Sequence, residues 1–202
     1  KGCLIIGTRG KGIYNYNPLN DSYKLLQFKG IPSDTHFMDA IRDKDAVWIA
    51  SSEGLLLLKN NETFELFNNG LYTLLNKKID QLMCVQKFEA AFGDKEIVCG
   101  TYDKKLLLFD KFKKAFVYQW QSTTINPGGF EPAIVYSIQQ DNNILWIGTN
   151  KGLTQLNLKD QQQQSFFIPS LLMENNNALV KKVVANNGDD LNKLWLIPWQ
   201  PY

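Results

Sequence analysis

A short apolar stretch recurs along the chain at intervals of 43 to 50 residues. Its clearest copy, residues 145–157, reads LWIGTNKGLTQLN. Related stretches begin at Leu4, Val47, Ile97 and Leu194. Aligned on Gly148, successive copies are 43, 50, 48 and 49 residues apart. Self-similarity at this period is typical of propellers and solenoids, whose repeats bury their apolar faces against one another.

Each copy predicts a strand, a tight turn and a second strand. Leu145, Trp146 and Ile147 favour a strand, because branched and aromatic side chains fit a pleated, packed surface. Gly148 and Gly152 bracket a turn, where the missing Cβ widens the choice of backbone angles. A single hairpin is only marginally stable in water, so the copies are expected to pack together.

The spacing between copies leaves room for four strands in each full unit. In the fourth unit they are predicted at 133–139, 145–149, 152–158 and 164–168. The first unit lacks strand one, and the fifth has only strands one and two, at 179–185 and 194–198. We therefore expect one all-β propeller region over residues 1–202, made of four-stranded antiparallel blades. Partial blades are expected at 1–30 and 173–202, and full blades at 31–75, 76–125 and 126–172.

Two observations favour a propeller over a helical solenoid. The repeats lack the 3.6-residue apolar period that a helical repeat needs in order to bury one face. The runs Leu4 to Ile6 and Leu55 to Leu58 are apolar without alternation, as expected of strands covered on both faces. Inner strands of propeller blades meet that condition, because each blade packs against its neighbours. Trp48, Trp146 and Trp195 are accordingly expected to pack between blades.

Charge and hydropathy narrow the choice of partners. The chain carries 22 basic and 20 acidic residues, a net charge of +2, whereas a nucleic-acid partner calls for a strongly basic surface. No apolar run reaches the 18 residues that a membrane helix needs, and no signal-peptide pattern is present. We expect neither nucleic-acid binding nor membrane contact by this segment.

The residues that usually carry chemistry are sparse. Cys3, Cys84 and Cys99 fall in predicted strands without metal-ligand spacing, and buried apolar roles are favoured, with a Cys3–Cys99 disulfide left open. His36 stands alone within Ser-Asp-Thr-His, so a turn role is favoured over a metal site. No Gly-x-Ser-x-Gly elbow exists, although paired carboxylates for glycoside cleavage remain an alternative. We expect no catalytic residues, no metal and no cofactor.

The motif Leu-Trp-Ile-Gly-Thr-x-x-Gly-Leu at 145–153 resembles the two-component regulator propeller repeat. Residues 47–55 match it with Ala50 and Ser51 in place of Gly-Thr, and residues 5–13 match it with one extra residue in the turn. The third unit keeps Gly100 and Thr101, whereas the fifth has Ile197-Pro198 at that position. The resemblance covers nearly the whole chain. The Trp-Asp ending of WD40 repeats and the recurring glycine doublet of kelch repeats are absent.

The resemblance implies a periplasmic sensor region of a hybrid histidine kinase of the kind found in gut Bacteroidetes. Such regions are associated with sensing glycan breakdown products, so the implied ligand is an oligosaccharide or another small molecule. The expected role is a non-enzymatic recognition module. A propeller-fold carbohydrate-active enzyme or lyase and a protein-interaction scaffold are the alternatives.

Loops between strands two and three share one face of a propeller, where aromatic, amide and charged side chains suit a sugar. The candidate ligand-binding residues on these loops are Arg9, Lys11, Glu53, Tyr102, Asp103, Asn150, Lys151 and Trp199.

The number of blades raises a question of completeness. Strand one of the fifth unit could close a four-bladed ring with the first unit, but the resembling family usually builds seven-bladed rings. An open arc would expose two apolar blade faces. The chain begins with Lys1 inside a predicted strand, which favours a fragment of a larger propeller, completed by the rest of the polypeptide or by another copy in a homodimer.

Overall fold

A computed structural model describes residues 4–59, 63–68, 81–88, 96–120, 133–166, 179–185 and 194–199, and these residues form strands and turns without a helix. Blade 1 consists of β1 (Leu4–Gly7), β2 (Ile13–Asn17) and β3 (Ser22–Leu26). Blade 2 consists of β4 (Phe37–Asp43), β5 (Ala46–Ser51), β6 (Gly54–Lys59) and β7 (Thr63–Phe67). Blade 3 consists of β8 (Leu82–Phe88), β9 (Glu96–Thr101), β10 (Leu106–Asp110) and β11 (Ala115–Trp120). Blade 4 consists of β12 (Val135–Asp141), β13 (Ile144–Thr149), β14 (Gly152–Asn157) and β15 (Gln163–Phe166). Blade 5 consists of β16 (Leu179–Ala185) and β17 (Leu194–Trp199).

The all-β propeller fold predicted from the repeat is confirmed. Each blade is an antiparallel meander, and the innermost strands β4, β8, β12 and β16 pack against one another in chain order. The strand predicted at 179–185 is observed with those bounds, and strand one of the fourth unit begins two residues later than predicted, at Val135. The end of the strand predicted at 164–168 lies outside the described residues.

The second strand of each blade explains why the motif pairs a Trp with an Ile. Successive side chains of a strand point to opposite faces. Trp48 therefore joins the core between blades 2 and 3, while Ile49 joins the core between blades 1 and 2. In blade 4, Ile147 packs towards blade 3 and Trp146 packs towards blade 5. The prediction that these two tryptophans lie between blades is confirmed.

The same prediction is wrong for Trp195, whose side chain is 63% exposed. Trp195 stands at the motif position of Trp48 and Trp146, on the side of blade 5 that no described blade covers. The opposite end of the arc behaves in the same way, because Leu4 and Ile6 are exposed on β1, contrary to the prediction of a strand covered on both faces. Leu55 to Leu58, by contrast, are buried on both faces as predicted.

The glycine of the motif stands where one blade comes closest to the next. A Cβ added to Gly148 would lie 2.6 Å from the hydroxyl oxygen of Ser137 and 2.7 Å from the carbonyl oxygen of Val180 in blade 5. A Cβ on Gly100 would meet Cys84 at 2.6 Å and would clash with Val135 of blade 4. The motif glycine therefore sets the distance between blades.

An ion-pair cluster joins blades 2 and 3 at the far end of β4. The carboxylate of Asp43 lies 2.9 Å from the Lys111 ammonium and 3.5 Å from that of Lys87. Burial alone would raise the pKa of Asp43, but the hydrogen bond and charge of Lys111, the charge of Lys87 and a hydrogen bond from Trp48 together lower it. The cluster stabilises the charged carboxylate at this junction.

Candidate functional site

The turns between strands two and three are closed by the threonine or serine of the motif. The hydroxyl of Thr149 donates to the carbonyl oxygen of Gly152 at 3.0 Å and accepts the amide N–H of Lys151 at 3.0 Å. Thr8, Ser51 and Thr101 make the corresponding pair of contacts in blades 1, 2 and 3. The Gly-Thr signature is thus explained by blade spacing and turn closure.

The residue after this hydroxyl ties its turn to the segment that enters the innermost strand. The amide oxygen of Asn150 accepts the N–H of Ile134 at 2.7 Å, while the Asn150 N–H donates to the Ile134 carbonyl at 3.2 Å. The His36 N–H donates to the Ser52 hydroxyl at 3.0 Å, and its carbonyl accepts the Ser52 N–H, while His36 itself forms an isolated β-bridge with Arg9 rather than part of a turn. The Asn150 side chain is therefore engaged in a structural bond.

A β-bulge interrupts the innermost strand of blades 2, 3, 4 and 5 at the same register. In each blade one residue is skipped by the pairing with strand two, just beside the motif Gly-Thr position. The skipped residues are Met38, Met83, Tyr136 and Lys181. Bulges redirect side chains and are frequent beside functional sites.

The bulges of blades 4 and 5 place a cation over an aromatic ring. The ammonium of Lys181 lies 4.4 Å from the centroid of the Tyr136 ring, within the range of a cation–π interaction. Tyr102 and Arg9, from the strand two–three turns of blades 3 and 1, affect the pKa of Tyr136 through their electrostatic influence. These four residues, Arg9, Tyr102, Tyr136 and Lys181, are called the axial cluster below.

The titration of the axial cluster reflects its partial burial. Burial, followed by the hydroxyl of Tyr102, raises the pKa of Tyr136, and the charge of Arg9 opposes that rise. Burial, followed by the charge of Arg9, lowers the pKa of Lys181, although Cys84 acts in the other direction. The Arg9 and Lys181 side chains themselves are exposed.

The residues next to the bulges connect successive blades. Asp39 accepts the N–H of Val85 at 3.1 Å, and Ser137 accepts the N–H of Val183 at 3.1 Å. At the same repeat position in blade 3, the Cys84 thiol instead donates to the carbonyl oxygen of Val135 in blade 4 at 3.9 Å. Side chains at one repeat position thus form hydrogen bonds between blades 2 and 3, between blades 3 and 4, and between blades 4 and 5.

The fourth residue at this position, Lys182, reaches across the inner strands. Its ammonium lies 3.9 Å from the Asp39 carboxylate, joining blade 5 to blade 2. Burial raises the pKa of Asp39, while the charge of Lys182 and the N–H groups of Val85 and Ala40 oppose the rise. Lys182 is therefore already paired, whereas Lys181 has no ion-pair partner among the residues that the structure describes.

The candidate ligand-binding residues divide between the axial cluster and the surrounding turns. Arg9 and Tyr102 belong to the cluster. Lys11 and Lys151 are exposed, Glu53 is half-buried, and Asp103 pairs with Lys105 at 3.4 Å. The backbone of Trp199 pairs with Leu179 in blade 5, but its side chain lies outside the described residues.

Two members of the cluster, Tyr136 and Lys181, were not among the sequence-based candidates. Both lie inside predicted strands, where alternation alone assigns a side chain to a face. A bulge changes that assignment, and the sequence gives no signal for it beyond a polar residue in an otherwise apolar strand.

Two cavities lined by described residues adjoin blade 1. One of about 400 Å³ is lined by Lys11, Phe28, Ile31 and neighbouring, mostly apolar residues. The other, of about 200 Å³, lies between blades 1 and 2 and is lined by Met38 and Asp39 among others. Few polar groups converge on either cavity, so neither offers a sugar the hydrogen bonds that its hydroxyls require.

The structure assigns apolar roles to the cysteines that it describes. Cys84 and Cys99 are buried free thiols whose pKa burial raises, so the Cys3–Cys99 disulfide left open by the sequence is not formed. Cys3 lies outside the described residues. Across those residues, His, Cys, Asp and Glu do not gather in groups of three or more suited to a metal ion. Nor does the described part of the chain include a helix with the length and hydropathy to cross a bilayer.

The fold and the axial cluster define a class of protein, a β-propeller with charged and aromatic groups gathered where its innermost strands meet the loop face. Solved structures share this fold. The chain matches the extracellular domain of the "putative hybrid two component system BT4673" of B. thetaiotaomicron with a TM-score of 0.67 and 19% identity. It matches the corresponding domain of BT3049 from the same organism with a TM-score of 0.61 and 19% identity.

These matches cover nearly all of this chain and a minor part of the neighbours. The BT4673 match covers 96% of this chain and 24% of the other, and the BT3049 match covers 98% and 31%. The computationally designed Ika8 protein also matches, with a TM-score of 0.60, 10% identity and coverage of 98% and 56%. The resemblance to sensor propellers is thus supported in fold.

Sequence comparison adds nothing to this assignment. No family model matches the chain, and no curated protein matches it either.

Proposed function

We propose that this chain is part of the extracytoplasmic sensor region of a two-component regulator and that it binds a glycan fragment at the axial cluster. The single observation that carries the ligand site is the Lys181 ammonium held 4.4 Å from the centroid of the Tyr136 ring, whose pKa the half-exposed Tyr102 also raises. Aromatic rings pack on the apolar faces of sugars, and charged groups bond hydroxyls.

The structural neighbours support the sensor part of the proposal. They are extracellular domains of putative hybrid two-component systems, which fits a periplasmic or other extracytoplasmic position for this chain. A recognition role without catalysis suits a site made of tyrosine, arginine and lysine. The kinase and any membrane helix would belong to other parts of the same polypeptide.

The exposed apolar faces at the two ends of the arc indicate a protein partner in addition to the ligand. Leu4 and Ile6 at blade 1, and Trp195 and Ile197 at blade 5, present large apolar side chains to solvent. Such faces mark interaction sites in soluble proteins. Further blades of the same polypeptide or a second copy would cover them.

The test is calorimetric titration of a panel of neutral and acidic oligosaccharides into the wild-type chain and into Tyr102→Ala. Tyr102 is half exposed in a turn, so its truncation should preserve the fold. Loss of one sugar-stacking ring should weaken binding about tenfold, equivalent to about 1.4 kcal/mol. Absence of binding across the panel would reject the ligand proposal, whereas turnover of a saccharide would favour the enzyme alternative.

A matched control is available in Phe112, which is exposed in the turn between β10 and β11. Phe112→Ala removes a ring of similar size at the opposite end of β10 from Tyr102. It should leave saccharide binding unchanged. An equal loss of affinity in both variants would show that the effect is not local to the axial cluster.

A further inference from the structure

The residue at the motif tryptophan position packs against strand three of the next blade, and the two side chains are matched in kind. The Trp48 ring of blade 2 lies 5.5 Å, centroid to centroid, from the ring of Phe109 in blade 3. Where the position holds an aliphatic residue, the core of the junction contains an aliphatic strand-three residue: Leu156 with Val98, and Leu58 with Ile5. These strand-three residues are called receiving residues below.

Strand pairing identifies the receiving residue of blade 1 as Tyr16. Phe109 pairs with the residue three positions before the motif glycine, and Tyr16 in β2 does the same. On the neighbouring strand Phe116 pairs with Phe109, as Tyr23 pairs with Tyr16. The two rings pack on each other in both blades, with centroids 5.1 Å apart in blade 3 and 4.6 Å apart in blade 1. Blade 1 therefore presents an aromatic pair of the kind that accepts Trp48.

This aromatic pair lies on the open face of blade 1, the face turned away from blade 2. Tyr16 stands directly opposite Leu4, and both Leu4 and Tyr23 are mostly exposed. The Tyr16 hydroxyl donates to the Asp21 carboxylate at 3.1 Å, which holds the ring in place. A tyrosine ring packs against apolar groups while its hydroxyl stays in water, and tyrosine is enriched where proteins associate. Tyrosine in place of phenylalanine thus suits a face that is open in the free chain and covered by a separate partner.

Blade 5 presents the complementary group. Trp195 occupies the motif tryptophan position, and no receiving residue covers it among the residues that the structure describes. Its neighbours on that face, Ile197 and Val184, are exposed with it. The chain therefore carries an aromatic receiving pair without a tryptophan at one end of the arc and a tryptophan without a receiving residue at the other.

We propose that blade 5 of one copy docks on blade 1 of a second copy, with Trp195 packed on Tyr16 and Tyr23. The inference rests on the protein-partner part of the proposed function and names the partner, the two faces and the anchoring residue. The contact repeats the junction between blades 2 and 3, where Trp48 packs on Phe109. Because the two faces differ, the association is head-to-tail rather than between identical patches.

The first test is sedimentation velocity of the chain without saccharide. The wild-type chain should self-associate as its concentration rises from about 1 µM to about 200 µM, the range in which weak protein interfaces form. Trp195→Ala and Tyr16→Ala should each weaken this association about tenfold or more, because buried aromatic anchors dominate interfaces. Tyr23→Ala, which truncates a mostly exposed side chain, replaces Tyr16→Ala if thermal melts show that the latter does not fold.

The second test mixes the two variants and separates head-to-tail docking from contact between identical faces. Trp195→Ala keeps the receiving pair of blade 1, and Tyr16→Ala keeps the tryptophan of blade 5. An equimolar mixture should therefore form a dimer with one intact junction and nothing larger, although neither variant forms that junction alone. A mixture that stays monomeric would contradict head-to-tail docking.

Phe112→Ala is the matched control, because it removes an exposed ring from an outer turn of blade 3, away from both faces. It should associate as the wild-type chain does. A wild-type chain that stays monomeric at about 200 µM, association that survives the Trp195 and tyrosine variants, or an equal loss in Phe112→Ala would overturn the inference. None of these results bears on saccharide binding, so the ligand part of the proposed function stands or fails by its own titration.

Discussion

Trp48 and Trp195 occupy the same position of strand two in blades 2 and 5, and they should differ sharply in their contribution to stability. Trp48 is 4% exposed, with ring centroids 5.7 Å from Phe67 and 5.5 Å from Phe109. These two ring pairs alone stabilise the fold by about 1–3 kcal/mol. With loss of burial and creation of a cavity, Trp48→Ala should lower the free energy of unfolding by about 3–5 kcal/mol.

Trp195→Ala should change that free energy by about 0.5 kcal/mol or less in the 202-residue chain, because the side chain is mostly in solvent. Urea unfolding followed by far-ultraviolet circular dichroism measures both values. Trp48→Phe, which keeps an aromatic ring, provides the same ranking if the alanine variant does not fold. Equal losses for the two tryptophans would refute the assignment of their positions relative to the blades.

Three further predictions concern acid titration, blade spacing and the open ends. Burial raises the pKa of Asp39 in the folded state above its pKa in the unfolded state. The free energy of unfolding should therefore increase as pH falls from the folded pKa towards the unfolded pKa, and urea titrations across pH should show that Asp39→Asn abolishes this increase. Burial would raise the pKa of Asp43, but its contacts with lysines and Trp48 lower that pKa below its value in the unfolded state. The stability that Asp43 contributes should therefore be lost as pH falls from the unfolded pKa through the folded pKa, and Asp43→Asn should remove this loss. Identical pH profiles for Asp39→Asn and Asp43→Asn would contradict both pKa directions. Gly148→Ala should lower the free energy of unfolding by about 1–3 kcal/mol, because the added Cβ would overpack the junction with blade 5. Ala50→Gly, at the same motif position in blade 2, should lower it by about 1 kcal/mol or less. Thermal melts that rank the two variants in the opposite order would be inconsistent with the blade spacing described. Light scattering should show that the 202-residue chain self-associates through its open blade faces, and a stable, cooperatively unfolding monomer would argue against that.

The sequence was sufficient to predict the repeat and the roles of its main positions. Alternation within residues 145–149 places Trp146 and Ile147 on opposite faces, and repetition of the motif shows that both faces are covered. The exposure of Trp195 could not be predicted in this way, because the motif describes a residue's own blade and not the presence of the next one.

The axial cluster was only partly predictable, for a different physical reason. Arg9 and Tyr102 lie in turns that repetition brings to one face. Tyr136 and Lys181 join them through bulges, which depend on the pairing of two strands rather than on the composition of either. The pairing of Lys182 with Asp39 is likewise a contact between distant blades, so adjacent lysines acquire different roles that their sequence does not distinguish.

Hydrogen–deuterium exchange with and without the tightest-binding saccharide of the panel tests the central claim, that the ligand binds where the innermost strands meet the loop face. Binding at that place should slow exchange in residues 101–103, 134–137 and 179–182 and leave the outer turns 111–114 and 158–162 unchanged. Protection confined to those outer turns, or to the cavities beside blade 1, would contradict the account.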